Sequence, residues 1–176
     1  MVKLEAASVN RRSDLISAAI EVFAEVGYFR ATTAQVAERA NISQPYVFRF
    51  FASKESLLLA ALEASWDRVI ESFRRVVETT PLEMLETKLV KEYENIQASY
   101  QNEMLLQMQA QTIQEDAIQQ TMRTAYMEIR NMVLLAFRDA GISNAEERVT
   151  LFLARGVLCN VAIAINLPEL MKEQEG

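Results

Sequence analysis

The sequence predicts an all-α protein: an N-terminal three-helix, helix-turn-helix domain followed by a larger helical domain, with eight or nine helices in all. Three observations lead there. Hydrophobic residues make up 51% of the 176, enough for a sizeable core, yet there are only four Gly and three Pro, too few turn residues for an all-β sandwich. Apolar side chains recur with a helical period from Leu15 almost to the end. Residues that start and stop helices punctuate that pattern, while no stretch reads convincingly as a strand, a repeat or a low-complexity linker.

The first helix is expected over about 13–26, where Leu15, Ile16, Ala19, Ile20, Phe23 and Ala24 form a doubled apolar stripe and Gly27 suits the left-handed residue past its end. Thr32 is expected to cap the second helix: its hydroxyl accepts from a free backbone N–H, and Gln35, three residues on, completes a capping box. That helix is short, 33–40, with Val36, Ala37 and Ala40 on one side. Asn41 takes turn conformations readily, and Ile42 reads as an apolar plug between helices. Ser43 is expected to cap a third short helix ending near Phe51, with Pro45 in the first turn, where a missing N–H costs little.

Ser53 marks the start of a longer fourth helix, about 54–77, carrying Leu57, Leu58, Ala61, Leu62, Ser65, Val69, Ile70, Phe73 and Val76. Thr80, Pro81 and Glu83 then read as the cap, first and third positions of a helix over 82–100, which buries Leu82, Leu85, Leu89 and Tyr93 or their neighbours. The stretch "QNEMLLQMQAQTIQ" is expected to be helical. A regular stripe of Ile118, Met122, Ala125, Tyr126, Ile129, Met132, Val133, Ala136 and Phe137 closes at Gly141. Ser143 with Glu146 forms a second capping box, opening a last helix over 144–166 that Pro168 ends.

Composition narrows the function. The net charge is −6, but it is unevenly spread: residues 1–60 hold seven Lys/Arg against six Asp/Glu, and the remainder eleven against eighteen. A single Cys, Cys159, forms no intrachain disulfide, and the absence of His removes Ser-His-Asp and Cys-His catalysis and the commonest zinc sites. There is no Gly-rich phosphate loop and no evident acid–base carboxylate pair, so neither an enzyme nor a bound cofactor or metal is expected. No secretory signal opens the chain, and the longest apolar run, "GVLCNVAIAI", is half of the ~20 residues a membrane span needs. The expectation is a cytoplasmic protein with no membrane partner.

Four aromatics crowd into 46–51, and helical geometry sorts them. At about 100° per residue, Val47, Phe50 and Phe51 share one face, whereas Pro45, Tyr46, Phe48 and Arg49 fan out on the other, with Gln44 at the N-terminal tip. A short helix anchored by the first set and presenting the second fits the reading helix of a helix-turn-helix, where Gln and Arg hydrogen-bond base edges in the major groove. Spacing alone leaves open an ordinary helical corner with an exposed Arg.

Residues 19–62, "AIEVFAEVGYFRATTAQVAERANISQPYVFRFFASKESLLLAAL", resemble the N-terminal DNA-binding domain of TetR-family transcriptional regulators. Phe23, Gly27, Tyr28, Thr32, Thr33, Val36, Ala37, Ala40, Ile42, Ser43, Phe48, Phe51, Ser53, Lys54, Glu55 and Leu57 all fall in register with that family's pattern. The resemblance implies a DNA-binding domain over 1–55 and a ligand-binding and dimerisation domain over 56–176. It implies DNA contacts from Thr32, Thr33, Ser43, Gln44, Pro45, Tyr46, Phe48, Arg49 and Lys54: Thr33 and Lys54 on phosphates, and Gln44, Pro45, Tyr46 and Arg49 in the major groove. The chain departs from the pattern where Phe48 replaces a frequent Tyr, Phe50 a His or Tyr, Asn41 a Gly and Ala34 an Arg. These changes shift the expected weight onto Arg49 and Tyr46.

The helix near the C-terminus is apolar nearly all round, with Phe152, Leu153, Val157, Leu158, Val161, Ala162 and Ile163 on several faces. Such a helix is buried on more than one side. A homodimer supplies the second side through a four-helix interface of 118–138 and 146–165, with Ala154, Gly156 and Ala162 permitting close approach. Candidate effector contacts are Trp66, Met104, Gln107, Met108, Gln111, Met122, Tyr126, Phe152, Arg155 and Cys159, because Met and aromatic residues suit a cavity for hydrophobic compounds. The plain alternative is that these are core residues, with Gln107 and Gln111 solvated. Arg155 and Asn160 interrupt the apolar helix, so each needs a partner: a ligand, Glu128 or another acid, or the second subunit. Cys159 reads as a small core residue. The expected function is a dimeric repressor released from palindromic double-stranded DNA by a small hydrophobic effector. The rival is a helical ligand-binding or scaffolding dimer that no longer reads DNA.

Overall fold

The computed structural model describes residues 2–171, with side chains from residue 10 onward. Its elements are α1 (Val2–Val26), α2 (Thr33–Arg39), α3 (Gln44–Val47), α4 (Lys54–Thr79), α5 (Leu85–Ser99), α6 (Gln101–Ala110), α7 (Asp116–Asp139) and α8 (Ala145–Ala164), with 3-10 turns at Leu82–Met84 and Pro168–Met171. Among the described residues there is no strand. Helix α4 is the spine: it packs on α1 at one side and on α5, α6 and α7 at the others, while α1 also touches α2 and α6. One hydrophobic core runs through all of them, from Leu15, Phe23, Val36 and Val47 to Phe73, Phe137 and Phe152.

End signals set the N-terminal third. The Gln35 N–H donates to Thr32 Oγ1 at 3.2 Å and the Thr32 N–H to Gln35 Oε1 at 2.8 Å, the reciprocal box expected there. Gly27 lies at φ +79°, and Asn41, in place of the usual Gly, lies at φ +54°. Asn is the non-glycine residue that best tolerates this left-handed backbone. It lets the Ile42 N–H reach back to Ala37 O at 2.9 Å and satisfy the end of α2. Ser53 starts α4 with its own box, paired with Ser56.

Several expected boundaries move. Helix α1 begins well before residue 13. Ser43 occupies the cap position of α3 with no side-chain hydrogen bond, and α3 is helical only to Val47; residues 48–50 continue as turn, the Phe50 and Phe51 N–H groups both reaching Val47 O. Thr80 is not an N-cap but the extended residue ending α4, and α5 starts at Leu85 after a 3-10 turn that leaves Leu82 exposed. No Ser143 capping box forms: Asn144, at φ +55°, holds the cap position, and Glu146 pairs with Arg138. Helix α8 stops at Ala164 because the chain turns through Asn166, at φ +53°, before Pro168 is reached.

Candidate nucleic-acid interface and effector cavity

Helix α3 has four residues, too few to be stable unaided. Val47 is fully buried and Phe51 is 4% exposed, with Phe50 half-buried beside them; these pin α3 to the core as the helical wheel predicts. Gln44, Pro45, Phe48 and Arg49 are exposed, and Tyr46 is half-exposed. The outward residues are ordered by one another. The Arg49 guanidinium lies over the Tyr46 ring, 5.1 Å from its centroid, and the Tyr46 ring meets Phe50 edge-on at 5.3 Å. Gln44 Nε2 donates to Thr33 Oγ1 at 3.0 Å, tying the tip of α3 to the start of α2 and leaving the amide oxygen available. Arg12 sits over the Phe51 ring at 5.2 Å, so α1 adds a cation beside α3. Arg39 clasps α2 to α1 by hydrogen bonds to Glu21 and Glu25, and it holds the Glu25 carboxyl below its ordinary value.

Two of the expected phosphate contacts take other roles here. The Thr33 side chain is buried and accepts from Gln44. Lys54 Nζ donates to Tyr28 O at 2.8 Å and Ala31 O at 3.1 Å and lies 4.5 Å from the Tyr28 ring centroid. Its ammonium therefore braces the connection from α1 to α2, and binding a phosphate would require giving up those carbonyls. Thr32, Ser43 and Phe48 are exposed on the same part of the molecule, although Phe48 carries no donor.

In the body, a cavity of about 30 Å³ is lined by Trp66, Val69, Phe73, Tyr93, Met104, Gln107, Tyr126, Ile129, Phe152, Leu153, Gly156, Val157 and Asn160. A second one of about 70 Å³ lies between α5 and α8, where Arg155 and Cys159 belong, with Phe152 reaching both. Aromatic rings frame the first: Trp66 and Tyr126 meet edge-on at 5.0 Å, and Phe73 stacks on Tyr93 at 6.0 Å. Gln107, a candidate effector contact whose alternative was solvation, is buried at 2% exposure and donates to Ser65 Oγ at 3.2 Å. The Tyr93 hydroxyl lies 2.7 Å from Asn160 Oδ1 and 2.8 Å from Gly156 O, which supplies the partner Asn160 needs. Met122 is buried and accepts the Trp66 indole N–H. Met108, Gln111 and Met122 line neither cavity; Gln111 is exposed and donates to the Tyr126 hydroxyl. Glu128 pairs with Arg74. Burial raises the Cys159 thiol above its ordinary value, overriding the lowering effects of Gln97 and Arg155.

Residues 15–61, the segment that forms the buried base and the exposed face just described, match the family model of bacterial regulatory proteins, tetR family. The HTH-type transcriptional repressor KstR2 of Mycobacterium tuberculosis is 30% identical over 124 residues, which cover 69% of this chain and 60% of that protein. The chain belongs to the TetR family of transcriptional regulators.

The HTH-type transcriptional activator FasR of Mycolicibacterium smegmatis is 39% identical over 70 residues, 40% of this chain and 32% of that protein. The matches thus span between a third and three fifths of these relatives' lengths, and one relative activates while the other represses. A TetR transcription regulator from Haloarcula marismortui shares the fold with a TM-score of 0.77 at 22% identity, over 93% of this chain and 92% of that one. FadR of Bacillus subtilis, solved in complex with stearoyl-CoA, does so with a TM-score of 0.72 at 14% identity, over 92% and 89%. Among the described residues, no helix of this TetR-family chain is long and apolar enough to cross a membrane.

Sequence reasoning missed Val69, Phe73, Ile129, Tyr93 and Gly156 as cavity residues. The first three sit at ordinary core spacing, and nothing in the pattern distinguishes a cavity wall from a filled core. Gly156 did carry a signal, as a lone glycine inside a helix, but it serves a contact within the chain: a Cβ there would lie 3.1 Å from the Tyr93 ring. Of the three small residues expected at a subunit interface, Gly156 and Ala162 face inward and Ala154 is exposed.

Proposed function

We propose that this chain is a homodimeric, ligand-responsive repressor that reads a palindromic DNA site with α3 and is released by a small hydrophobic effector. The carrying observation is α3 itself: a four-residue helix fixed by Val47 and Phe51 so that Gln44, Pro45, Tyr46 and Arg49 face outward together. Arg49 and Gln44 supply the donors that read base edges, and Tyr46 and Pro45 supply apolar contact. Arg12 and the exposed Thr32 and Ser43 lie within reach of the backbone phosphates. Residues 1–55 act as the reading domain and 56–176 as the effector and dimer domain.

The dimer reading rests on apolar side chains exposed along α7 and α8: Met127 at 50%, Leu135 at 60%, Leu151 at 62%, Leu158 at 43% and Ile165 at 58%. Apolar residues exposed together mark an association surface, and a second copy offers the matching face under twofold symmetry. The effector reading rests on the aromatic-framed cavity. At about 30 Å³ it holds no more than a water or two, whereas ligand pockets usually enclose several hundred cubic ångströms, so effector binding must spread the surrounding helices. Such spreading alters α4, which leads directly into the residues beside α3. FadR with stearoyl-CoA shows a protein of this fold with an acyl-CoA ligand, and KstR2 favours repression over activation.

The test is selection of bound sequences from a random duplex pool, followed by sedimentation of the complex. The expected result is an inverted repeat bound by two subunits with affinity falling steeply as salt rises. Binding without sequence preference would favour a DNA-silent scaffolding dimer instead.

A further inference from the structure

Two cavities adjoin where α5 meets α8, the first extending among α4, α6 and α7, and they are divided by three residues that line both: Tyr93, Phe152 and Gly156. Glycine at 156 lets the Tyr93 ring lie close against α8, since a Cβ there would stand 3.1–3.3 Å from its ring carbons and hydroxyl oxygen and the ring would have to give way. Within that divider the Tyr93 ring is held by the hydroxyl contacts to Asn160 and Gly156 O. The cavities differ in chemistry. The one beside Trp66 is lined only by neutral side chains, so a charged group placed there would lose its hydration without compensation. The other carries Arg155, Glu94 and Gln97. Gln97 Nε2 is buried without a hydrogen-bond partner, beside a Cys159 sulfur that is at best a weak acceptor. A buried donor in that state favours any ligand that brings it an oxygen.

We propose that the two cavities are the halves of one elongated site for an unbranched aliphatic chain. The chain enters methyl end first, displaces the Tyr93 ring and ends beside Trp66. Its carbonyl or carboxylate head stays in the cavity that carries Arg155, accepting from Gln97 Nε2 and facing that guanidinium. This rests on the ligand-responsive reading above and adds to it the ligand's class and its direction in the site.

Trp66, the sole tryptophan in the sequence, lines the neutral cavity and serves as the reporter. The probes are stearic acids carrying a doxyl quencher either near the terminal methyl or near the carboxylate, titrated into the full-length protein while Trp66 fluorescence is read. The methyl-end label is expected to quench several-fold more strongly. Gly156→Val is expected to abolish that quenching while leaving helicity by circular dichroism intact; should this variant fail to fold, the two label positions on the unmodified protein still decide. Arg155→Gln separates the possible heads: about a tenfold loss for stearate, the strength of one charge-assisted hydrogen bond, with no loss for its methyl ester, would assign a free carboxylate, and equal affinities would assign an ester or thioester. Equal quenching by both labels, stronger quenching by the carboxylate-end label, or no binding of either overturns the proposal. Operator binding on the same preparation keeps the two readings apart: a protein that selects a palindrome but ignores both stearates contradicts the chain site alone.

Discussion

Helices α2 and α3, of 7 and 4 residues, and helices α7 and α8, of 24 and 20, are held in place by different means. The short pair depends on its ends: a reciprocal cap at Thr32 and Gln35, a left-handed Asn41, the Arg39 clasp onto α1, and two apolar anchors under α3. The long pair depends on its faces, with Ile118, Ile129, Val133, Phe137, Val149 and Phe152 spread along a shared core. Helices as short as α2 and α3 do not form unaided, so each position has a specific task and the outward residues are left free for another molecule. Long amphipathic helices tolerate many apolar sequences, so their residues say that a core exists without saying what else it holds.

The largest expected effect tests this difference directly. Phe51→Ala and Phe73→Ala each remove a buried ring and are expected to lower stability by about 3 kcal/mol. Below the melting range of both variants, only the Phe51 variant should lose specific DNA affinity, because only it unpins α3. Equal loss from the two, by thermal melts and gel shifts run together, would mean that head and body are not separable in this way. A smaller effect contrasts two Thr/Ser positions that look alike in sequence. Thr32→Ala should cost about 1 kcal/mol, the usual worth of a helix cap, whereas Ser143→Ala should change stability by less than about 0.5 kcal/mol, because no cap forms there. Chemical denaturation of the two variants checks it.

The smallest effect concerns pH. Arg39 holds the Glu25 carboxyl below its ordinary value by a side-chain hydrogen bond, so the folded form binds that proton less readily than the unfolded chain. The contribution is fully present above the ordinary carboxylate range and is lost as pH falls through the lowered value. Arg39→Gln should flatten the stability profile on the acid side while leaving it unchanged in shape above neutrality. An unaltered acid limb would show that this exposed clasp contributes nothing measurable.

The same division governs what the sequence made legible. Helix α3 and its outward face were visible because turn chemistry and helical spacing converge within a dozen residues: Asn41 at the turn, Pro45 in the first turn, and Val47 and Phe51 on one side with Tyr46 and Arg49 on the other. At Lys54 the sequence left the partner open, because a cation at a helix start suits a phosphate and suits equally the carbonyls of a neighbouring turn, and only the fold brings Tyr28 and Ala31 to it. In the body, Trp66, Met104, Gln107, Tyr126 and Phe152 line one cavity, but the residues beside them there, Phe73, Tyr93 and Gly156, come from three helices with no local signal linking them. Caps at Thr80 and Ser143 failed because competing backbone arrangements, a 3-10 turn and a left-handed Asn144, satisfied the helix ends first.

The central claim is that α3 reads bases through Arg49, and equilibrium binding of Arg49→Ala to the selected operator and its single-base variants tests it most directly. The account predicts an unchanged melting temperature together with a loss of about 1–3 kcal/mol of discrimination at one symmetric pair of base positions. Unchanged affinity and unchanged base preference in a folded Arg49→Ala protein would contradict it.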